Sequence, residues 1–252
     1  MGVLSDEPDH WVNGQPVNSI SILDRGLVYG DGVFETVLVN DQPVLLSLHL
    51  QRLQRGLARL SIPMNCKILE KEIHDFLLFH NKGILKITVT RGLGGRGYMP
   101  PEHPKITRIL SWYPLPRYPE TNFLQGVNLF VCQTILGKNP VLAGIKHLNR
   151  LEQVLARNEW QTEDYQEGLM LDTDGHVIEC IFSNFWGVKE GKLITADLSH
   201  CGVEGVMRQW LLENAKQAGL PVSIKPITRD DVLGFDEVFV SNSVFGIWPV
   251  KS

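Results

Sequence analysis

The stretch "EGLMLDTDGHVIECIFSNFWGVKEGKLITA", Glu167 to Ala196, constrains the fold more than any other part of the chain. Its apolar runs are short and rich in β-branched and aromatic residues. Asp174-Gly175 and Glu190-Gly191 interrupt them as tight turns, so the segment reads as an antiparallel meander. The same signals recur near the N-terminus. Asn13-Gly14 marks a hairpin, "VFETVLVNDQPVLL" reads as two strands around Asn40-Asp41, and "GILKITVTRG" and "TRILSWYPL" are further strands. "GVNLFVCQT" and "DEVFVSNSVFGIWPV" each hold one more. Helical spacing appears in "SLHLQRLQRGLARLSIP", through Leu48, Leu53, Leu57 and Leu60, and in "VEGVMRQWLLENAKQAGL", which ends at Gly219.

This pattern predicts α+β architecture without a βαβ rhythm. With 252 residues the chain can bury two cores, and Pro114, Pro116 and Pro119 crowd the stretch between them. The expected division is a small N-terminal α+β domain over 1–113, a proline-rich linker over 114–126 and a larger C-terminal α+β domain over 127–252. Neither GxGxxG nor GxxxxGK[ST] occurs, so the nucleotide-binding fingerprints are missing.

A net charge of −4 gives no basic surface for nucleic acid, and no apolar run reaches membrane-spanning length. The opening "MGVLSDEPDHW" is acidic and unlike a signal peptide, and Met1-Gly2 alone is a weak lipidation signal. Cys66, Cys132, Cys180 and Cys201 lie far apart, which fits reduced packing thiols and no metal site. A cytoplasmic protein is expected.

"LAGIKHLNRLEQVLARNEW" repeats Ile145, Leu148, Leu151, Val154 and Leu155 at helical spacing and sets Lys146 where that helix would begin. A solvated lysine with its stem along apolar surface is the ordinary explanation. Glu179 stands among Val177, Ile178, Ile181 and Phe182, where an ionised carboxylate needs a cationic partner unless it faces water. Gly202 and Gly205 flank a helix start, which forms an anion seat or simply a turn. Together, a lysine, a carboxylate and a phosphate-ready helix start are what pyridoxal phosphate requires.

The chain resembles the fold-type IV pyridoxal-phosphate enzymes through "DRGLVYGDGVFET", "HLQRL", "TRGLGGRGY", "LAGIKHLNRLEQ", "VIECIFSNFW", "GVMR" and "DEVFVSNS". The resemblance implies a two-lobed homodimer with pyridoxal 5'-phosphate in the cleft between lobes. It implies that Lys146 is the Schiff-base lysine and Glu179 the partner of the pyridine nitrogen. Arg52 and the backbone of Val206 and Met207 match the phosphate contacts, and Asn184 and Asn242 fall in cofactor-pocket segments.

At the substrate-carboxylate positions of D-amino-acid transaminases this chain has Phe34, Arg96 and Tyr98. "TRGLGGRGY" and "LAGIKHLNRLEQVL" instead look like the aminodeoxychorismate lyase subgroup. The resemblance thus implies a lyase that splits 4-amino-4-deoxychorismate into 4-aminobenzoate and pyruvate, for folate synthesis. Lys146 would be the base, Arg91 or Arg96 would pair with substrate carboxylates, and Thr36 would assist proton transfer. Strand-end packing accounts for Arg91 equally well, and a plain β-branched strand residue accounts for Thr36. A D-amino-acid or branched-chain transaminase is the alternative, and a non-catalytic binding protein the outside case.

Overall fold

The computed structural model of the chain describes residues 9–252. The first eight residues, which carry most of the N-terminal expectations, lie outside the described residues. The chain divides into two compact units. The first runs through Pro116 and takes in Lys146–Asn149; the second comprises Arg117–Ile145 and Arg150–Ser252.

The first unit contains β1 (His10–Val12), α1 (Arg25–Tyr29), β2 (Gly32–Asn40), β3 (Gln42–Pro43), α2 (Leu46–Arg59), α3 (Cys66–Leu77), β4 (Lys82–Thr90) and β5 (Thr107–Tyr113). Its sheet is antiparallel, in the order β1-β5-β4-β2-β3. The expected turn at Asn13-Gly14 is present, with φ of 53° and 74°. Strand periodicity builds the core. Val33, Val37 and Val39 of β2 and Leu85, Ile87 and Val89 of β4 are buried with Leu53 and Leu57 of α2. Helix α3 was not foreseen in the sequence, yet its logic is simple. Asn65 caps it by accepting the Lys67 N–H, and Leu69, Ile73 and Phe76 bury one face. Each such side chain contributes roughly 2 kcal/mol when removed from water.

The second unit contains α4 (Thr121–Leu124), β6 (Leu129–Val131), α5 (Leu151–Arg157), β7 (Glu167–Leu171), β8 (Val177–Cys180), β9 (Asn184–Lys189), β10 (Lys192–Ala196), α6 (Val206–Gln217), β11 (Val222–Lys225), α7 (Arg229–Leu233), β12 (Glu237–Asn242) and β13 (Gly246–Pro249). Two sheets form, β6-β7-β8 and β11-β10-β9-β12-β13. Helix α4 falls inside the proline-rich stretch.

Three expectations need correction here. The chain does contain βαβ connections, because β6 runs parallel to β7 with α5 between them, and β10 runs parallel to β11 across α6. The four residues of β11 are too few to show a period, and the strand read in the β6 stretch gives no sign of its parallel partner. The C-terminal segment holds a hairpin, β12 with β13, rather than one strand. And Lys146 does not head a helix: α5 starts at Leu151, while Leu151, Val154 and Leu155 are exposed and Gln153 and Ala156 are the buried pair. No helix among the described residues is long and apolar enough to cross a membrane.

Candidate active site

After Ile145 the chain leaves the second unit for four residues, Lys146–Asn149, of which His147 bridges to Val33 of β2. The Phe34 N–H donates to the Lys146 carbonyl at 2.9 Å, and the Leu148 N–H donates to the Gly32 carbonyl at 3.0 Å. Gly32 makes that approach possible: a Cβ there would stand 2.4 Å from the Val89 carbonyl and 2.8 Å from Leu148 Cδ1. Thus strand-like bonding, not a helix start, fixes the Lys146 backbone. Its Nζ stands 4.5 Å from the centroid of the Phe34 ring, within cation–π range.

Alternation along β2 puts Thr36 on the same sheet face as Phe34. Lys86 pairs across from Thr36 in β4, and its Nζ lies 5.6 Å from the same ring. Sequence reasoning missed Lys86, although the alternation of "ILKITVT" was enough to place it on the Thr36 face.

The reverse face of β2 carries Glu35, whose side chain has 0% exposure. Arg52 from α2 grips it twice, Nε to Oε1 at 2.8 Å and Nη2 to Oε2 at 2.5 Å, and His49 Nδ1 stands 2.6 Å from Oε2. Burial alone would raise the Glu35 carboxyl, but the Arg52 charge and hydrogen bonds, with His49, bring it down to about 2. Burial also lowers His49, favouring a neutral ring whose Nδ1–H donates to Glu35. Its Nε2 is buried with no partner among the described residues. The signal for this triad was in α2, where His49, Arg52, Leu53, Gly56 and Leu57 form one buried stripe. The arginine in that stripe demands an acid, and Glu35 supplies it.

Arg91 is a brace. Asp31 takes its Nε at 2.7 Å and its Nη2 at 3.1 Å, and the Leu60 and Ser61 carbonyls accept at 2.7 Å and 2.8 Å. Its strand-end packing therefore accounts for its donors without a ligand. Arg96 and Tyr98 are exposed on the loop that follows.

In the second unit every residue of β8 is buried, Glu179 included. Glu179 Oε2 accepts the Val203 N–H at 2.7 Å. The stretch Gly202–Glu204 also bonds the chain just ahead of Lys146: the Gly144 N–H donates to the Gly202 carbonyl at 2.9 Å, and the Glu204 N–H to the Gly144 carbonyl at 3.0 Å. One loop thereby ties the Glu179 carboxylate to Gly144. Burial lowers Arg150, while the Glu179 charge acts to raise it.

Val206 and Met207 open α6 behind Gly205, a cap that offers no side-chain hydrogen bond. Uncapped N–H groups and the positive end of the dipole suit an anion. Asn184 packs on this start: its Nδ2 donates to the Val203 carbonyl at 2.9 Å, and a Cβ on Gly205 would fall 1.9 Å from its Oδ1. Asn242 is committed to the β12–β13 turn, where its Oδ1 accepts the Val244 and Phe245 N–H groups at 2.8 Å and 2.9 Å. Asp172, Asp174 and His176 also gather within ligand reach, but Lys138 already forms salt bridges to both aspartates.

In the first unit Lys146 holds an amine over the Phe34 ring, and in the second unit Glu179 is a buried carboxylate and the start of α6 an uncapped helix end that suits an anion. Comparison with known proteins identifies the family. The model of the class IV amino-transferase family matches residues 32–252. Aminodeoxychorismate lyase of Vibrio harveyi is 38% identical over 96% of this chain and 90% of its own length. A crystal structure of 4-amino-4-deoxychorismate lyase from Pseudomonas aeruginosa is 50% identical with a TM-score of 0.95, covering 96% of this chain and 90% of that one. Branched-chain amino acid aminotransferase of Escherichia coli superposes with a TM-score of 0.85 at 26% identity, over 98% and 86% of the two chains. The chain belongs to the class IV amino-transferase family.

Proposed function

We propose that this chain is a pyridoxal 5'-phosphate-dependent lyase that converts 4-amino-4-deoxychorismate into 4-aminobenzoate and pyruvate, a step toward folate. One observation carries the choice of lyase over transaminase. Identity to lyases is 38% and 50% over nearly the whole chain, against 26% to a branched-chain aminotransferase of the same fold. The family match supports the cofactor, and the residue types fit it: Lys146 offers an amine, Glu179 an acid, and Arg52 and the start of α6 anion contacts.

Lys146 is the residue to which the cofactor attaches, and Glu179 holds a proton at the pyridine nitrogen. Val206, Met207 and Arg52 bind the phosphate, and Asn184 and Asn242 shape the pocket. Bound pyridoxal 5'-phosphate supplies an aldehyde for the substrate amine and a ring that stores an electron pair. The Lys146 amine takes the proton from substrate C4. The C3–O bond then breaks, enolpyruvate leaves and gains a proton from Lys146, and the remaining ring becomes aromatic. Thr36, on the Phe34 face, orients the Lys146 amine during both transfers. Arg96 and Tyr98 bind substrate carboxylate, the arginine by paired N–H donors.

The reading extends to a cytoplasmic homodimer. Ile20, Ile22, Leu23 and Leu27 are exposed ahead of and along α1, an apolar surface that a second copy would cover. Borohydride reduction of the cofactor-loaded protein tests the attachment. The cofactor mass should appear on the peptide containing Lys146; its appearance on another lysine would sink the assignment.

A further inference from the structure

We infer that Arg25 is a positioning residue for substrate recognition, holding the glycine-rich loop Gly92–Met99 in the form that presents Arg96. The inference rests on the proposed lyase reaction for its kinetic consequence, though not for its structural one. Arg25 lies on a five-residue surface helix whose Leu27 and Val28 are exposed, yet it is itself only 5% exposed. Its guanidinium faces two ways. Nε donates to Asp31 Oδ2 at 2.8 Å, and Nη2 donates to the Tyr98 carbonyl at 2.9 Å. Longer, weaker contacts run from Nη1 to the Gly97 and Met99 carbonyls, at 3.3 Å and 3.5 Å.

The same residue secures the other end of the loop, because its backbone N–H donates to the Gly92 carbonyl at 2.9 Å. Its stem lies against Gly94, where an added Cβ would stand 2.6 Å from Arg25 Cδ. Between these fixed points Gly95 and Gly97 have open space around them, and Arg96 is exposed.

A loop this rich in glycine has much conformational freedom to lose. If Arg96 binds a substrate carboxylate, fixing the loop beforehand removes that loss from the binding step. Arg25 therefore acts through Arg96 without touching substrate. Lysine at this position would keep the Asp31 ion pair, but a single ammonium cannot fork across three carbonyls.

The test uses cofactor-loaded protein. Arg25→Lys should raise KM for 4-amino-4-deoxychorismate about tenfold, with kcat within about twofold and cofactor loading unchanged. Combined with Arg96→Ala, its effect on KM should be much smaller than in the wild-type background, because only Tyr98 is then left for the loop to present. Tryptic cleavage after Arg96, followed by mass without substrate, should quicken about tenfold. Gly94→Ala pushes on the Arg25 stem while leaving both partners in place, so it should show the same KM rise and the same faster cleavage; it also serves if Arg25→Lys does not fold. Wild-type KM and cleavage in these variants overturn the inference, as does full additivity with Arg96→Ala or a joint loss of kcat, KM and loading. A wild-type protein that forms no 4-aminobenzoate would fail the lyase reading instead, and the cleavage rates would still decide whether Arg25 pins the loop.

Discussion

Glu35 and Glu179 are both buried acids, but they are held in different ways and should fail in different ways. Glu35 sits between Arg52 and His49, so its charge fixes the guanidinium proposed to bind the cofactor phosphate. Glu35→Gln leaves Arg52 as an uncompensated buried charge, a defect that costs about 3–5 kcal/mol in comparable pairs. Thermal melting should drop, and cofactor titration should show affinity about tenfold weaker or worse; wild-type affinity in a folded variant would separate Glu35 from the phosphate site. Glu179→Gln keeps an oxygen for the Val203 N–H and removes only the charge. Turnover should fall at least about tenfold, or about 1.4 kcal/mol of barrier, with the cofactor still attached to Lys146. Unchanged turnover would show that Glu179 is not the ring-nitrogen partner. Lys146 and Glu179 stand out in the sequence because their residue types are out of keeping with apolar neighbours, while the roles proposed for them come from the family resemblance. Glu35 was not, since alternating strand residues hide an inward acid unless its partners on α2 are read at the same time.

Among the elements, the segment from Leu142 to Arg157 shows what spacing can and cannot tell. Leu148, Leu151, Val154 and Leu155 do recur at helical intervals, but Leu148 packs beside Gly32 ahead of α5 and the other three lie on the open face of α5. Periodicity says which residues share a face and is silent on what covers it. Gly144, with φ of 79°, makes a left-handed bend ahead of Lys146 that glycine accepts readily, and bonding of Lys146 and Leu148 to β2 then takes up the expected helix start. The start of α6, by contrast, was legible from Gly202 and Gly205. Gly205→Ala tests the element directly, because its backbone φ of −60° tolerates alanine while the methyl group meets Asn184 Oδ1 at 1.9 Å. Asn184 must then leave the Val203 carbonyl. Cofactor affinity should fall several-fold, about 1 kcal/mol, with helix content by circular dichroism unchanged. Equal affinity would mean that α6 is not the phosphate seat.

At the scale of the whole molecule, two buried acids give the two units opposite pH edges. In the first unit Glu35 titrates at about 2 when folded, below its ordinary 4.5. Its stabilisation is complete above pH 4.5 and drains away as pH falls toward 2. In the second unit burial pushes Glu167 up to about 8, against the N–H groups of Gly168 and Phe182 and the Ser183 hydroxyl. The unfolded chain ionises there first, so stability declines as pH rises from 4.5 to about 8. Melting temperature against pH should fall on both sides, and Glu167→Gln should flatten the alkaline limb; an unaltered limb would assign that slope elsewhere. The α+β class was readable in the sequence from the turn-bounded strands. The return of Lys146–Asn149 to the first unit was not, because a four-residue excursion leaves no change in composition. The account's central claim is the chemistry of Lys146. The direct measurement is to incubate the cofactor-loaded protein with 4-amino-4-deoxychorismate and quantify the products. Equal amounts of 4-aminobenzoate and pyruvate, abolished by Lys146→Ala, are the expected result; an aminated cofactor and a keto acid with no 4-aminobenzoate would contradict it.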